Sequence, residues 1–367
     1  MNKKSKCQSL TAWLGYGLGV LFISALTACG YSPGPPNSNT GSMSLQAGQS
    51  TALSRAETDA SDTPRLPESE EQIEARFHSN CIDPLNQQQF ELARKACISF
   101  LANQNLAGKA YAALAILNDN IYPTDNDMAY RYARLSVEQG EARGKVFAAL
   151  MMLQGRWAPG GKPNSAAIQF EQVEAWIADA VENKINGAED LATEVKSIKT
   201  CMDNKESFQL LGEPLFCLPA PMVKQALAAK GMEIKHDYSP EQWMEGWDTG
   251  KVLQGISRAE LYYDQKFPFS IPMLSTLTYI SKPSEYSRLL QILTEKYGKP
   301  GTQLRADNQR AYTWSLKQGL VLSLSSNNGR VEVRYSLPDR WKSRVANMDL
   351  NAKRIERIIT QRDAHAL

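Results

Sequence analysis

Four cysteines at equal spacing are the residues of this chain whose types and positions most directly suggest chemistry. Cys81 and Cys97 are 16 positions apart, and Cys201 and Cys217 have the same separation. An even set of thiols in an exported chain predicts disulfides, although four cysteines allow three pairings. The equal spacing favours the two local pairs over the others. A metal site is disfavoured because structural zinc ligands usually stand about two to four residues apart within each pair.

Other reactive side chains form no recognisable catalytic set. The three histidines, His78, His236 and His365, are scattered, so we expect neither a bound metal nor a cofactor. Gly160-Gly161-Lys162 lacks the Ser or Thr that completes a phosphate loop. Asp125 is expected to cap a following helix. The chain is therefore predicted not to be an enzyme, although a site made of carboxylates alone stays open because such pairs leave little trace in a sequence.

The first residues have the three parts of an export signal. Lys3, Lys4 and Lys6 form a cationic start, and residues 13–26 form an apolar middle. The tetrapeptide Leu26-Thr27-Ala28-Cys29 that follows resembles the lipobox of bacterial lipoproteins. An uncleaved transmembrane helix over residues 7–28 is the alternative.

The lipoprotein resemblance implies a modification and a location. Cys29 becomes the acylated N-terminus of the mature protein, carrying palmitate or similar chains that anchor it without spanning the bilayer. In this class an aspartate after the cysteine usually retains the protein at the inner membrane, and here the residue is Gly30. The resemblance therefore implies the outer membrane of a Gram-negative bacterium, with the protein facing the periplasm.

Composition divides the chain into four parts. The formal net charge is +2, and removal of the three signal lysines leaves −1, so no basic face for nucleic acid is expected. We predict a signal peptide at 1–28 and a disordered tether rich in Ser, Gly and Pro at 29–66. A helical-repeat domain at 67–237 and a small α+β domain at 238–367 complete the prediction.

The helical part repeats itself. The segment YAALAIL at 111–117 matches FAALMML at 147–153, and residues 129–133 match residues 175–179. These matches predict stacked helical hairpins. They resemble the Sel-like repeats, relatives of the tetratricopeptide class, whose signature falls here on Ala112, Leu114, Ala129, Tyr132, Ala133, Gly140, Ala142, Ala148, Leu150, Ala175, Trp176 and Gly187. The resemblance implies a short solenoid that binds another protein. Because the two cysteine pairs flank this array, we predict that they staple its caps.

Strand signals dominate the C-terminal part. Strands are predicted at residues 257–267, 275–280, 311–316, 320–325 and 330–335. The last two are joined by the hairpin signal Asn327-Asn328-Gly329. A helix at 284–297 should begin with a cap at Ser284 and lie across the antiparallel sheet. From residue 339 onward, Met348, Ala352, Ile355 and Ile359 predict a helix packed through that stripe, with a membrane-surface helix as the alternative.

These features give two hypotheses of function. In the first, the helical repeats bind an envelope protein, which makes the molecule an adaptor or scaffold, and Trp157 is a candidate contact in a long loop or a half-buried connection. In the second, the sheet binds peptidoglycan or lipid through Tyr312, Trp314 and Tyr335. An inhibitor of a periplasmic enzyme that uses the repeat groove is a third, weaker alternative.

Overall fold

A computed structural model describes residues 68–366 apart from 122–123, 158–167, 238–243, 251, 265–269, 305–309 and 328. Side chains are also left undescribed at 236–237, 302–304, 310, 327 and 361–366. The described chain is a mixed α+β fold, as predicted. The predicted signal, its lipobox and the tether lie outside the described residues. No described helix is both long enough and apolar enough to cross a bilayer.

The described part contains eleven α-helices and eight strands. The helices are α1 (Glu70–Phe77), α2 (Asp83–Asn86), α3 (Phe90–Ser99), α4 (Ala107–Asn120), α5 (Asn126–Glu138), α6 (Ala142–Leu153), α7 (Phe170–Glu182), α8 (Ala188–Asp203), α9 (Ala220–Ala229), α10 (Tyr286–Tyr297) and α11 (Pro338–Ala366). The strands are β1 (Glu233–Asp237), β2 (Met244–Asp248), β3 (Ile256–Asp264), β4 (Met273–Ser281), β5 (Gly301–Leu304), β6 (Arg310–Ser315), β7 (Val321–Asn327) and β8 (Arg330–Ser336).

Helices α3 to α7 each contact the next helix in the chain. Small residues allow this close packing. At Gly144 of α6, an added Cβ would overlap the Ser136 Oγ of α5. That hydroxyl also donates to the Gly108 carbonyl of α4 at 2.9 Å. Glycine at position 144 therefore sets how closely three helices meet.

Burial supports one of the two internal matches and corrects the other. Ala112 and Ala148 are both fully buried, as the match between α4 and α6 predicts. In the second match Ala129 is fully buried but Ala175 is exposed. The buried residues of α7 are Val173, Ile177 and Ala180, which repeat the spacing of Ala129, Ala133 and Ser136 in α5. The sequence match aligned Ala129 with Ala175, an offset of 46 residues, and this offset is two residues too long. In the alignment given by burial, Ala129 corresponds to Val173 and Tyr132 corresponds to Trp176.

Both local disulfides are confirmed. Cys81 in the π-turn His78–Ile82 is bonded to Cys97 of α3. Cys201, in the last turn of α8, is bonded to Cys217 in the 3-10 turn Leu215–Cys217. Leu215 and Phe216 belong to the hydrophobic core of the sheet. The second disulfide therefore joins the last helix of the helical part to the segment that packs beneath the sheet.

All eight strands form one antiparallel sheet in the order β1-β2-β3-β4-β8-β7-β6-β5. The hairpin predicted at Asn327-Asn328-Gly329 is confirmed by the pairing of Asn327 with Arg330. Strands β1, β2 and β5 were not predicted, because they are short and their apolar residues are few. Helix α10 begins at Tyr286 after a 3-10 turn, so Ser284 is not its cap.

The sheet is built from two halves of the same design. Each half is a helix followed by four strands in consecutive antiparallel order, α9 with β1–β4 and α10 with β5–β8. The halves meet at β4 and β8, where Leu277 pairs with Tyr335 and Tyr279 pairs with Val333. A local two-fold axis between β4 and β8 relates one half of the sheet to the other, and it places Tyr279 and Tyr335 in equivalent positions.

The same relation places two tryptophans in equivalent positions. Trp247 of β2 pairs with Ala259 of β3, and Trp314 of β6 pairs with Leu322 of β7. Both tryptophans are buried on the face of the sheet that α9 and α10 cover. The two indoles therefore form matching parts of one core, a relation that the sequence alone did not reveal.

Helix α11 packs through a different face from the one predicted. Arg344 and Ile358 are buried, and Trp341 makes an edge contact with Tyr262 of the sheet, with ring centroids 5.7 Å apart. Met348, from the predicted stripe, is 41% exposed, and Ala352 is also exposed. Arginine and tryptophan side chains can cover a protein surface as well as aliphatic ones, so the apolar stripe was a poor guide to the packed face.

Candidate functional site

Three half-buried aromatic rings form a cluster on the surface of the helical part. Trp157 makes edge contacts with Tyr130 of α5 at 5.1 Å and with Trp176 of α7 at 5.5 Å between ring centroids. All three rings remain partly open to solvent. We call Tyr130, Trp157 and Trp176 the aromatic cluster. Partly exposed Trp and Tyr side chains held in place by packing are the residue types most enriched at protein-binding hot spots.

The helices fix two members of the aromatic cluster. Asp125 caps α5 by accepting a hydrogen bond from the Met128 backbone N–H at 3.0 Å, as predicted. Ala129 of α5 and Ile177 of α7 point into the core. Tyr130 and Trp176, next to these residues, are consequently turned towards the rim of each helix, where a ring can contact both the protein and a partner.

A helix end positions the third ring. Helix α6 ends at Leu153, and Gly155 adopts a left-handed φ of +73°. The Arg156 N–H donates to the Met151 carbonyl at 2.7 Å, and the Gly155 N–H donates to Met152. This is the pattern of a Schellman cap, which reverses the chain at a helix end. It places Trp157 immediately beyond α6, between α5 and α7.

A buried polar network holds the residue before Trp157. The Arg156 side chain, 8% exposed, forms an ion pair with Asp119, which is 1% exposed. It also donates to Asn126 Oδ1 at 2.8 Å and to Gln154 Oε1 at 3.0 Å. The Asp119 Oδ2 atom has no hydrogen-bond partner among the described residues. Because these groups come from α4, α5 and the end of α6, the network locks together the three segments that carry Tyr130 and Trp157.

Helix α11 adds a fourth element to this network. Arg354 donates to the Asn120 carbonyl at 2.7 Å and to its Oδ1 at 2.9 Å. Burial lowers the pKa of Arg354, and the nearby Asp119 charge opposes that shift. The Gln154 amide donates to the Ser270 carbonyl, which precedes β4, at 3.0 Å. The support of the aromatic cluster thus extends to α11 and to the sheet.

The aromatic residues proposed on the sheet lie mainly in the core. Trp314 and Tyr335 are each 4% exposed, and Tyr312 is half-buried against Tyr286 of α10. The Trp314 indole donates to the Gly298 carbonyl at the end of α10, at 2.8 Å. Burial raises the pKa of Tyr335, with the Tyr297 hydroxyl as a further cause. Trp314 and Tyr335 cannot contact a ligand unless α10 moves away.

The sheet core also contains a buried ion pair. Lys224 of α9 and Glu245 of β2 are 6% and 4% exposed and lie in salt-bridge contact. Glu245 Oε2 accepts hydrogen bonds from the Trp247 indole at 3.1 Å and from the Tyr263 hydroxyl at 3.3 Å. A carboxylate satisfied by three donors inside a core fixes the position of α9 on the sheet and is not accessible to a substrate.

An open cleft of about 500 Å³ lies near the end of α9, lined by Gly231, Glu233, Asp248, Gly250 and Val252. Lys235 pairs with Glu233 and Asp248 at its edge, at 3.4 and 3.5 Å. Small-molecule sites are usually lined by apolar and aromatic side chains, unlike the residues described for this cleft. The described residues also contain no cluster of three or more His, Cys, Asp or Glu side chains suited to a metal ion.

The sequence identified part of this site. It singled out Trp157 and Trp176 separately, and the structure brings them together. Tyr130, Asp119, Arg156 and Arg354 were not selected. Gly155 after an apolar helix was the available signal for the turn that positions Trp157. Gly160-Gly161-Lys162 and the side chain of His236 lie outside the described residues.

Comparison with known proteins adds no relative to this description. No family model, curated protein or solved structure matches the chain. Its two-part fold and its aromatic cluster are therefore interpreted from their own chemistry.

Proposed function

We propose that this protein is a lipid-anchored adaptor of the bacterial envelope, which binds a partner protein through its helical part. Cys29 carries the anchor at the outer membrane, and the tether holds the folded part in the periplasm. The observation that supports binding is the aromatic cluster, in which Trp157 contacts both Tyr130 and Trp176 at the surface.

The rigidity of the cluster supports this assignment. A ring that is already ordered loses little conformational entropy on binding, which leaves more of the contact energy for affinity. Arg156 is held by Asp119, Asn126 and Gln154, so the chain entering Trp157 is fixed before a partner arrives. Helices α4–α8 as Sel-like hairpin repeats belong to the same proposal, because that class presents protein-binding surfaces.

The sheet-based alternative has weaker support. It relied on exposed aromatic residues on the sheet, and Trp314 and Tyr335 are covered by α10. An inhibitor of a periplasmic enzyme would use the same helical surface, so the nature of the captured partner decides between inhibitor and adaptor.

Membrane fractionation tests the anchor. The Cys29→Ser protein should appear in the soluble periplasmic fraction, because the chains that hold it to the bilayer are missing. If that variant remains with the membranes after a high-salt wash, lipid anchoring at Cys29 is wrong.

Site-specific photo-crosslinking tests the binding surface in living cells. A photoreactive amino acid at Asp127, exposed one helical turn before Tyr130, should give a discrete crosslink to another protein. The same amino acid at Glu295, exposed on α10, is the matched control and should give none. A crosslink at Glu295 alone would place the binding surface on the sheet part and contradict the proposal.

A further inference from the structure

Exposed apolar side chains are concentrated on α11. Val345 is 49% exposed, Met348 is 41% exposed and Leu350 is 60% exposed. They account for half of the six large apolar residues that are exposed in the described part of the chain. The surfaces of soluble proteins rarely carry several such residues close together unless a binding partner covers them.

Part of this surface has the periodicity of a coiled-coil seam. Val345, Met348, Ala352, Ile355 and Ile359 follow one another at alternating spacings of three and four residues, so they occupy the a and d positions of successive heptads. We call these five residues the heptad stripe. All five are exposed or half-exposed. The side of α11 that packs on the protein bears Arg344 and Ile358 instead. Val345, Met348 and Ala352 therefore face outward, and Ile355 and Ile359 lie half-buried at the edge of the packed side.

The charges beside the stripe distinguish a protein partner from a lipid surface. The exposed charged residues described on α11 are three acidic and three basic ones: Asp339, Asp349, Glu356, Lys342, Lys353 and Arg357. A helix that binds an anionic membrane surface carries a net positive polar face. The balanced charge of α11 favours a partner that presents both signs, as a second copy of the same helix does.

We propose that α11 pairs in an antiparallel arrangement with α11 of a second copy of this chain. In that register Val345 packs against Ile355 of the second copy, and Met348 packs against Ala352. The e positions, each directly after a d position, are Lys342, Asp349 and Glu356. In this register the e positions of the two helices meet, so Lys342 of each copy lies opposite Glu356 of the other in two symmetric ion pairs. Asp349 lies near the two-fold axis, where its own Lys353, at 2.7 Å, neutralises it.

A parallel pair fits the structure less well. Parallel coiled coils bring e positions against g positions. The g positions of this stripe are Arg344, Asn351 and Ile358, of which Arg344 and Ile358 are buried against the protein itself. In the antiparallel arrangement the charged e side chains, which are exposed, meet one another, and no ion pair requires the buried g positions. The dimer does not depend on the proposed adaptor function, since the heptad stripe contains no residue of the aromatic cluster or of its network, to which α11 contributes Arg354.

The test measures the mass of the full lipoprotein in mild detergent across the micromolar range. The unaltered protein should be a dimer, and Met348→Asp should raise the dissociation constant at least about tenfold because it buries a carboxylate in the seam. Leu350→Asp is the matched control, since Leu350 is exposed on α11 outside the stripe. The far-ultraviolet circular dichroism of each variant checks that it is folded.

A charge exchange tests the register. Lys342→Glu and Glu356→Lys should each weaken the dimer, and the double variant should restore it because the opposite charges meet again. A monomeric full-length protein, or a double variant weaker than both single ones, would overturn the proposal. The proposal would also be overturned, in favour of a membrane surface, if Met348→Asp abolished binding of the Cys29→Ser protein to anionic phosphatidylglycerol vesicles.

Discussion

The Asp119–Arg156 ion pair is predicted to be the most sensitive point of the helical part. Both groups are almost fully buried, at 1% and 8% exposure. Removing one member of such a pair leaves an uncompensated charge in the interior, which costs about 3–5 kcal/mol. Arg156 would keep two neutral acceptors, at 2.8 and 3.0 Å, so we expect Asp119→Leu to cost about 3 kcal/mol, the lower end of that range.

A double-mutant cycle separates the pair from its surroundings. Asp119→Leu and Arg156→Met should each lower the free energy of unfolding by about 3 kcal/mol, whereas the double variant should lie within about 1 kcal/mol of the unaltered protein, because neither member of the pair is left without the other. Urea unfolding followed by circular dichroism gives these values. Single variants that cost less than about 1 kcal/mol, or a double variant equal to the sum of the two, would refute the reasoning.

Three further predictions concern packing, pH and covalent links. Gly144→Ala should lower the free energy of unfolding by about 1–3 kcal/mol in urea, because its Cβ would overlap Ser136. A second substitution in the same chain, Ser136→Gly, should recover part of that loss. An unchanged urea midpoint for Gly144→Ala would contradict the close approach of the two helices. Burial raises the pKa of Glu194 above 4.5, so the stability it contributes is present at low pH and is lost as pH rises through the raised value. Glu194→Gln should therefore reduce the change of melting temperature with pH around the Glu194 pKa. If the two proteins show the same dependence of melting temperature on pH, Glu194 does not cause this change. Replacing Cys201 and Cys217 together by Ser should cost about 3 kcal/mol in the same urea assay, and a smaller loss than about 1 kcal/mol would mean that this disulfide does little to constrain the unfolded chain.

Local patterns predicted much of the secondary structure. The β7–β8 hairpin followed from Asn327-Asn328-Gly329, and the end of α10 followed from Gly298, because turn and cap residues act over a few positions. Equal cysteine spacing predicted both disulfides. These features are set by residues close together in the chain, which is the range over which sequence patterns are informative.

Long-range packing was not predictable in the same way. The stripe at Met348 was assigned to the core, yet α11 packs through Trp341 and Arg344, whose aromatic and aliphatic parts cover the sheet. The two-fold relation between Trp247 and Trp314 depends on the pairing of β4 with β8. Such relations are set by contacts between distant segments.

The aromatic cluster shows the same limit at the site. Trp157 and Trp176 each carried a signal, but their contact depends on the turn after α6 and on the Asp119–Arg156 pair. A buried arginine is rare without a partner, and that partner lies 37 positions earlier in the chain. In the sequence alone, no pattern connects Asp119 with Arg156.

Quantitative affinity capture from detergent-solubilised membranes tests the central proposal most directly. The full-length lipoprotein is compared with a Trp157→Ala/Trp176→Ala variant and with Tyr312→Ala, a control that removes a half-buried aromatic residue of the sheet. The account predicts one protein partner whose recovery falls at least about tenfold with the cluster variant and stays unchanged with the control. Equal recovery with the cluster variant, or recovery of glycan or lipid alone, would contradict it.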